Sequence, residues 1–184
     1  QPNTRYDIAA SGGLVIPSLD TKIEGAWYEE VSEVLSHVHV DAPFSDFDRE
    51  ALLPRKYSQM GPGVGWFDVD GDGWEDLLIG GGRGGHLSVY LCQSGRFTFS
   101  ETWSQKGINR RDQTGIVGKT TSGGLRQILI GTSNFEDRSP QGASVVLKTE
   151  TSESGIGKGK HSGPLALADV DGDGDLDLFI GAHC

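Results

Sequence analysis

The stretch Asp68-Val69-Asp70-Gly71-Asp72-Gly73-Trp74-Glu75-Asp76-Leu77-Leu78-Ile79-Gly80 is a run of acid and glycine that leads into a short apolar segment closed by glycine. It returns as Asp169-Val170-Asp171-Gly172-Asp173-Gly174-Asp175-Leu176-Asp177-Leu178-Phe179-Ile180-Gly181. Between them the apolar segment recurs alone, as Gln127-Ile128-Leu129-Ile130-Gly131. Positions 76, 127 and 177 are thus equivalent, 51 and 50 residues apart. A period of about 40 to 50 residues belongs to repeat folds built from four-stranded sheets.

Outward from the first copy, four short strands are expected at residues 63–69, 75–80, 86–92 and 96–103, which make one antiparallel sheet. The second copy predicts strands at 114–118, 127–133 and 143–148. Its loop has the same length but not the same chemistry: Lys119, Thr121, Gly123 and Gln127 stand where Asp68, Asp70, Asp72 and Asp76 stand in the first. That copy is expected to fold without metal. The third copy starts at Gly163 and supplies two strands. Near the other end, Tyr6-Asp7-Ile8-Ala9-Ala10-Ser11-Gly12-Gly13 matches the frame of Glu75 to Gly82, with Asp7 as the last carboxylate of a loop. Residues 26–32 and 38–40 read as strands, 29–35 as a helical turn, 41–49 as an acidic loop carrying Phe44 and Phe47, and 155–160 as a Gly/Lys loop.

The expected fold is all-β: β-propeller blades of four antiparallel strands, a partial propeller or fragment, with calcium loops between strands one and two. The expected parts are the end of an upstream blade (1–20), an inter-blade connection (21–60), a blade with a calcium loop (61–105), a blade without calcium ligands (106–160) and the first half of a blade with a calcium loop (161–184).

In each acidic loop, carboxylates fall at positions 1, 3, 5 and 9, and position 7 offers a main-chain carbonyl. One candidate ligand set is Asp68, Asp70, Asp72, the Trp74 carbonyl and Asp76; the other is Asp169, Asp171, Asp173, the Asp175 carbonyl and Asp177. Ca²⁺ takes six to eight hard oxygens in flexible geometry, and these loops supply most of them. Four carboxylates in so small a loop repel one another unless a cation is present. An EF-hand would need a bidentate Glu at position 12 and flanking helices. Here position 12 is Ile79 or Ile180, and the flanks are strand-like. Two Ca²⁺ ions, one per loop, are therefore expected, held in β-hairpins and mainly structural in role.

Composition narrows the class. Hydrophobic residues make up only 35%, and glycine, costly inside helices, accounts for 28 of 184 residues, which favours a turn-rich β fold. A net charge of −10 argues against nucleic-acid binding, which requires a basic face. No apolar run approaches the 18 residues of a membrane span. Cys92 and Cys184 can pair or remain thiols; two cysteines do not make a disulfide scaffold.

On the residues from Gly61 to Leu77 and from Gly163 to Leu178 the chain resembles the FG-GAP/VCBS repeats of integrin-α-type β-propellers. The stretch from Phe47 to Pro62 is similar to the bacterial subset related to cartilage acidic proteins, the ASPIC/UnbV group. The resemblance implies a calcium-stabilised propeller, secreted or at the cell surface, that binds proteins or glycans in adhesion. Some members carry the fold as a scaffold for polysaccharide cleavage. This sequence departs from the pattern in its middle copy, which lacks the calcium ligands.

Other motifs weigh less. Gly80-Gly81-Gly82-Arg83-Gly84-Gly85 fits GxGxxG, but a dinucleotide site needs a helix next, and a strand is expected. Gly155-Ile156-Gly157-Lys158-Gly159-Lys160 is an incomplete P-loop. His37 and His39 face one side of a strand without a third metal ligand. Arg110-Arg111-Asp112 reads as a solvated turn. Trp66, Trp74 and Trp103 read as inter-sheet core in preference to sugar-stacking platforms. No nucleophile, base and acid constellation emerges, so no catalytic residue is assigned.

The expected function is an extracellular calcium-stabilised module for protein or glycan binding. The alternatives are a self-assembling filament subunit, in which one copy's end strands complete the next, and the scaffold of a polysaccharide-degrading enzyme. Expected partners are a protein or glycan ligand or copies of the chain itself, with no nucleic acid and no membrane span.

Overall fold

The computed structural model describes residues 32–137, 142–157 and 162–182. They form an all-β structure of two four-stranded antiparallel sheets and a two-stranded antiparallel hairpin. Sheet one contains β1 (Val64–Phe67), β2 (Asp76–Ile79), β3 (Ser88–Gln93) and β4 (Arg96–Phe99), in chain order. Sheet two contains β5 (Gln113–Thr120), β6 (Arg126–Thr132), β7 (Val145–Lys148) and β8 (Glu153–Ile156), again in chain order. The hairpin pairs β9 (Ser162–Ala168) with β10 (Asp177–Ala182). A 3₁₀ turn at Ser32–Val34 and a single helical turn, α1 (Asp46–Arg49), precede the strands. The expectations for residues 1–20, the match at Tyr6 to Gly13, the fate of Cys184 and most of the strand at 26–32 lie outside the described residues.

β2 shows why its sequence is a continuous apolar run. Every one of its residues is buried, because the strand is covered on both faces. On one face Leu78, with Val69, Leu87, Val89 and Trp103, meets Ile116, Ile128 and Ile130 of sheet two. On the other, Leu77, Ile79 and Tyr90 pack with Leu35 and Phe97.

The first strands of the three units stand side by side, β1 against β5 and β5 against β9. Glycine makes this approach possible. A Cβ on Gly63 would lie 2.9 Å from the Gly115 nitrogen, and one on Gly65 would lie 2.9 Å from the Ile116 oxygen. Polar contacts lock the row: Gly63 N donates to Gln113 O at 2.9 Å, and Thr114 Oγ1 to Ser162 O at 2.9 Å.

Several sequence expectations need correction. The strand at 96–103 ends at Phe99; the chain then turns, with Ser104 N donating to Ser100 O, which swings Trp103 into the core. Residues 38–40 form no strand; they run beside the glycine loop, where Gly82 N donates to Val40 O and Ala42 N to Arg83 O. Residues 41–49 include α1, capped by Ser45 Oγ. Part of the Gly/Lys loop is β8, an exposed outer strand. Of Trp66, Trp74 and Trp103, Trp103 alone is core; Trp66 and Trp74 are half exposed.

The middle hairpin also differs. In the first and third hairpins the ladder stops at Phe67↔Asp76 and Ala168↔Asp177, leaving the acidic loop open. In the middle one, pairing continues to Thr120↔Arg126, and the turn closes through Thr121 N to Leu125 O. A register shift between Gln113 and Gly115 lies at the far end of this ladder, as one between Ile180 and Ala182 does in the third hairpin. The middle loop therefore does not keep the open shape of its neighbours. Without aspartates to bind its N–H groups, the backbone satisfies itself by extending the ladder.

Candidate metal centres

The two acidic loops fold by the same internal bonds. Asp68 Oδ1 accepts from Gly71 N at 2.5 Å and Oδ2 from Gly73 N at 3.1 Å. Asp70 Oδ1 accepts from Asp72 N at 3.1 Å, Asp72 Oδ1 from Trp74 N at 2.8 Å, and Asp76 Oδ2 from Val69 N at 2.8 Å. The other loop repeats all five: Gly172 N (2.7 Å) and Gly174 N (3.0 Å) to Asp169, Asp173 N to Asp171 (3.2 Å), Asp175 N to Asp173 (2.8 Å), and Val170 N to Asp177 (3.0 Å). Three of the five are Asx-type bonds to the backbone two or three residues on; the first aspartate also reaches five residues on, and the last reaches seven residues back to close the loop. Glycine is required at Gly71 and Gly73, where φ is +86° and +90°, and at Gly172 and Gly174, where φ is +78° and +92°.

The curl gathers the carboxylates. Oxygens of Asp68, Asp70 and Asp76 lie within 4.8 Å of one another, as do those of Asp169, Asp171 and Asp177. Asp72 and Asp173 are not in these tight groups; each accepts from the backbone at position 7, where Trp74 and Asp175 stand. The donors are all oxygen, which suits a hard cation such as Ca²⁺ and not a transition metal.

Their surroundings differ. Asp76 is buried, and its Oδ1 also accepts from Cys92 N of β3 at 2.8 Å, while Asp177 is exposed. Burial pushes the Asp76 carboxyl up; the Cys92 and Val69 N–H groups oppose that, and the charges of Asp70 and Asp68 add to it. Cys92 is a buried free thiol. The middle hairpin, having no ligands, presents cations to both neighbours. Lys119 Nζ donates to Leu176 O at 3.3 Å, and the Arg126 guanidinium packs against Gly71.

A third acidic group joins Asp41, Asp112 and Glu136. No local pattern marks it in the sequence, because its members come from three distant segments. The His37 and His39 pair joins no metal-sized group among the described residues. His37 Nδ1 instead lies 3.2 Å from the Tyr90 hydroxyl.

The Gly80 to Gly85 run leads into a strand, so it lacks the helix a dinucleotide needs. Arg111, expected in a solvated turn, makes a two-pronged contact with Asp137 at 2.7 and 3.2 Å. Beside β5 lies an open cavity of about 170 Å³ lined by Gln105, Asn109, Arg111, Gln113 and Glu153. Ligand pockets usually run from roughly 300 to 1,000 Å³. Here Gln105 bonds Glu153, and Gln113 bonds Gln105, both at 2.8 Å. No helix among the described residues is long and apolar enough to cross a membrane.

Comparison of the chain with protein-family models, with curated proteins and with solved structures finds no match.

Proposed function

We propose that the chain is a calcium-stabilised part of a β-propeller of the FG-GAP/VCBS kind, serving outside the cell as a module that binds a protein or glycan. One observation carries this reading: two acidic loops, 101 residues apart in sequence (Asp68 and Asp169), adopt the same five-bond curl at the same place between first and second strands. A shared shape built on carboxylates is what a shared cation would require. The contacts between successive first strands, each opening a sheet in chain order, support this reading, since neighbouring blades would meet in that way.

Asp68, Asp70, Asp72, the Trp74 carbonyl and Asp76 hold one Ca²⁺ in this reading, and Asp169, Asp171, Asp173, the Asp175 carbonyl and Asp177 hold the other. Extracellular calcium modules bind with Kd on the order of 10⁻⁴ to 10⁻³ M. Calcium then fastens the hairpins, and recognition falls to other surfaces, among them the half-exposed Trp66. Titration calorimetry and thermal melts in calcium and in chelator test it. Each occupied site adds about 2.7 kcal/mol at a hundredfold excess over Kd. No binding heat and an unchanged melting temperature would remove the reading.

A further inference from the structure

The Asp41, Asp112 and Glu136 group lies away from both loops and is assembled by the fold. Asp41 comes from the segment before α1, Asp112 from just ahead of β5, and Glu136 from the turn after β6. One carboxylate oxygen from each lies within 4.8 Å of the other two. Asp112 is only 2% exposed, and the Glu136 side chain only 6%.

The hydrogen bonds around the group leave it incomplete. Asp112 is satisfied, accepting from Arg83 N at 2.9 Å and Gln59 N at 3.1 Å. Arg83 Nε stands 2.6 Å from Glu136 Oε2. The Arg83 backbone also serves Asp41, but among the described residues Glu136 Oε1 and Asp41 Oδ1 are shielded from solvent and receive no hydrogen bond. Among the described residues, three carboxylates thus face the Arg83 guanidinium, with His39 the other basic group acting on Asp41. Burying a charged oxygen without a partner costs several kcal/mol. Burial pushes the Asp41 and Glu136 carboxyls up, and the Asp112 charge adds to both. Room for the cluster is kept by Gly82, where any Cβ would collide with the Asp41 carboxylate.

We infer that Asp41, Asp112 and Glu136 form a third cation site, taking a hard divalent ion, Ca²⁺ first, through oxygen alone. The ion would take the two orphaned oxygens and complete the charge balance that Arg83 leaves unfinished. It would join the chain ahead of sheet one to both ends of the β5–β6 hairpin. The site stands independently of the two loops.

Equilibrium dialysis of the full, chelator-stripped chain against about 1 mM free Ca²⁺, followed by metal analysis, tests this. The variant D68A/D70A/D169A/D171A disables both loops and is expected to keep one equivalent. Adding E136Q is expected to abolish it, with folding checked by circular dichroism. Loss of all calcium in the folded four-site variant would overturn the proposal. If the loops bind nothing, wild type and the four-site variant both bind one equivalent, so the two readings fail separately. Should a variant not fold, crystals of the unaltered chain soaked in Tb³⁺ decide. An anomalous peak among Asp41, Asp112 and Glu136 supports the site, and its absence refutes it.

Discussion

Lys119 Nζ reaches from β5 to the main-chain carbonyl of Leu176, 3.3 Å away in the acidic loop of the next hairpin. Arg126, at the other side of the same turn, lies against Gly71 in the preceding acidic loop. The middle hairpin thus carries cations where its neighbours carry carboxylates, and directs them at the neighbours' loops. K119A and R126A should each raise calcium affinity at the adjacent loop about two- to fivefold, the equivalent of about 0.5–1 kcal/mol for a partly exposed charge. In chelator the same variants should melt earlier, since the carboxylates lose their standing cation. Calorimetric titration reads the first effect and thermal melts the second. Weaker calcium binding in either variant would contradict the assignment.

Asp76 and Asp70 should separate structure from ligation. Both Asp76 oxygens accept backbone N–H groups, from Val69 and Cys92, inside the fold. D76N would turn an amide N–H₂ toward one of those donors and should cost about 2 kcal/mol even in chelator. D70N, whose side chain bonds only within the exposed loop, should lose stability in calcium alone. Urea unfolding of both variants with and without calcium gives the four numbers needed.

Asp46 holds the segment between α1 and β1. It is fully buried and accepts from Tyr57 N at 2.6 Å, Ser58 N at 3.0 Å and the Ser58 hydroxyl. Burial alone would raise its carboxyl, but those three donors outweigh it and hold it below the usual range. A depressed folded value means the carboxylate stabilises the fold above the unfolded value of about 3.9. That contribution fades as pH falls through the folded value. D46A should cost about 3 kcal/mol at pH 7 and leave calcium stoichiometry unchanged. The gap to wild type should narrow in acid.

His37 sets a second pH window. Burial lowers its pKa, and the neighbouring His39 and His86 lower it further; the Tyr90 hydroxyl faces its Nδ1. The folded chain favours neutral His37, so its contribution is complete above about pH 6.5 and is lost as pH falls through the lowered folded value. Melting temperature should drop between pH 7 and pH 5, and H37Q should flatten that drop. An identical slope in the variant would rule the residue out as its source.

The glycines between β1 and β5 should be intolerant of a single methyl. G63A and G65A press a Cβ into backbone atoms of β5 and should cost about 2–3 kcal/mol each. G107A meets nothing within 4 Å and should lie within about 0.5 kcal/mol of wild type. Urea midpoints compare the three directly.

The parts legible in the sequence were those encoded locally. β2, β6 and β10 announce themselves as apolar runs ended by glycine, and the Asp/Gly loops carry their turn chemistry in their own side chains. β8 was missed because Glu153-Ser154-Gly155-Ile156 has no buried face; only its ladder to β7 makes it a strand. Residues 38–40 alternate like a strand but lie on a glycine loop, which has no ladder to offer. The one-residue slip in the middle hairpin depends on which backbone donors find partners, and residue spacing does not record that. Asp41, Asp112 and Glu136 meet only through tertiary packing, so no window of the chain shows them together.

The five backbone bonds within each acidic loop have a kinetic consequence. A loop whose curl is fixed by its own side chains has little searching to do when an ion arrives. Capture then waits mainly on the shedding of water from the ion, and release requires no opening of the hairpin. Stopped-flow traces should show a single fast phase on mixing with calcium and another on mixing with chelator. The far-ultraviolet spectrum should stay constant throughout.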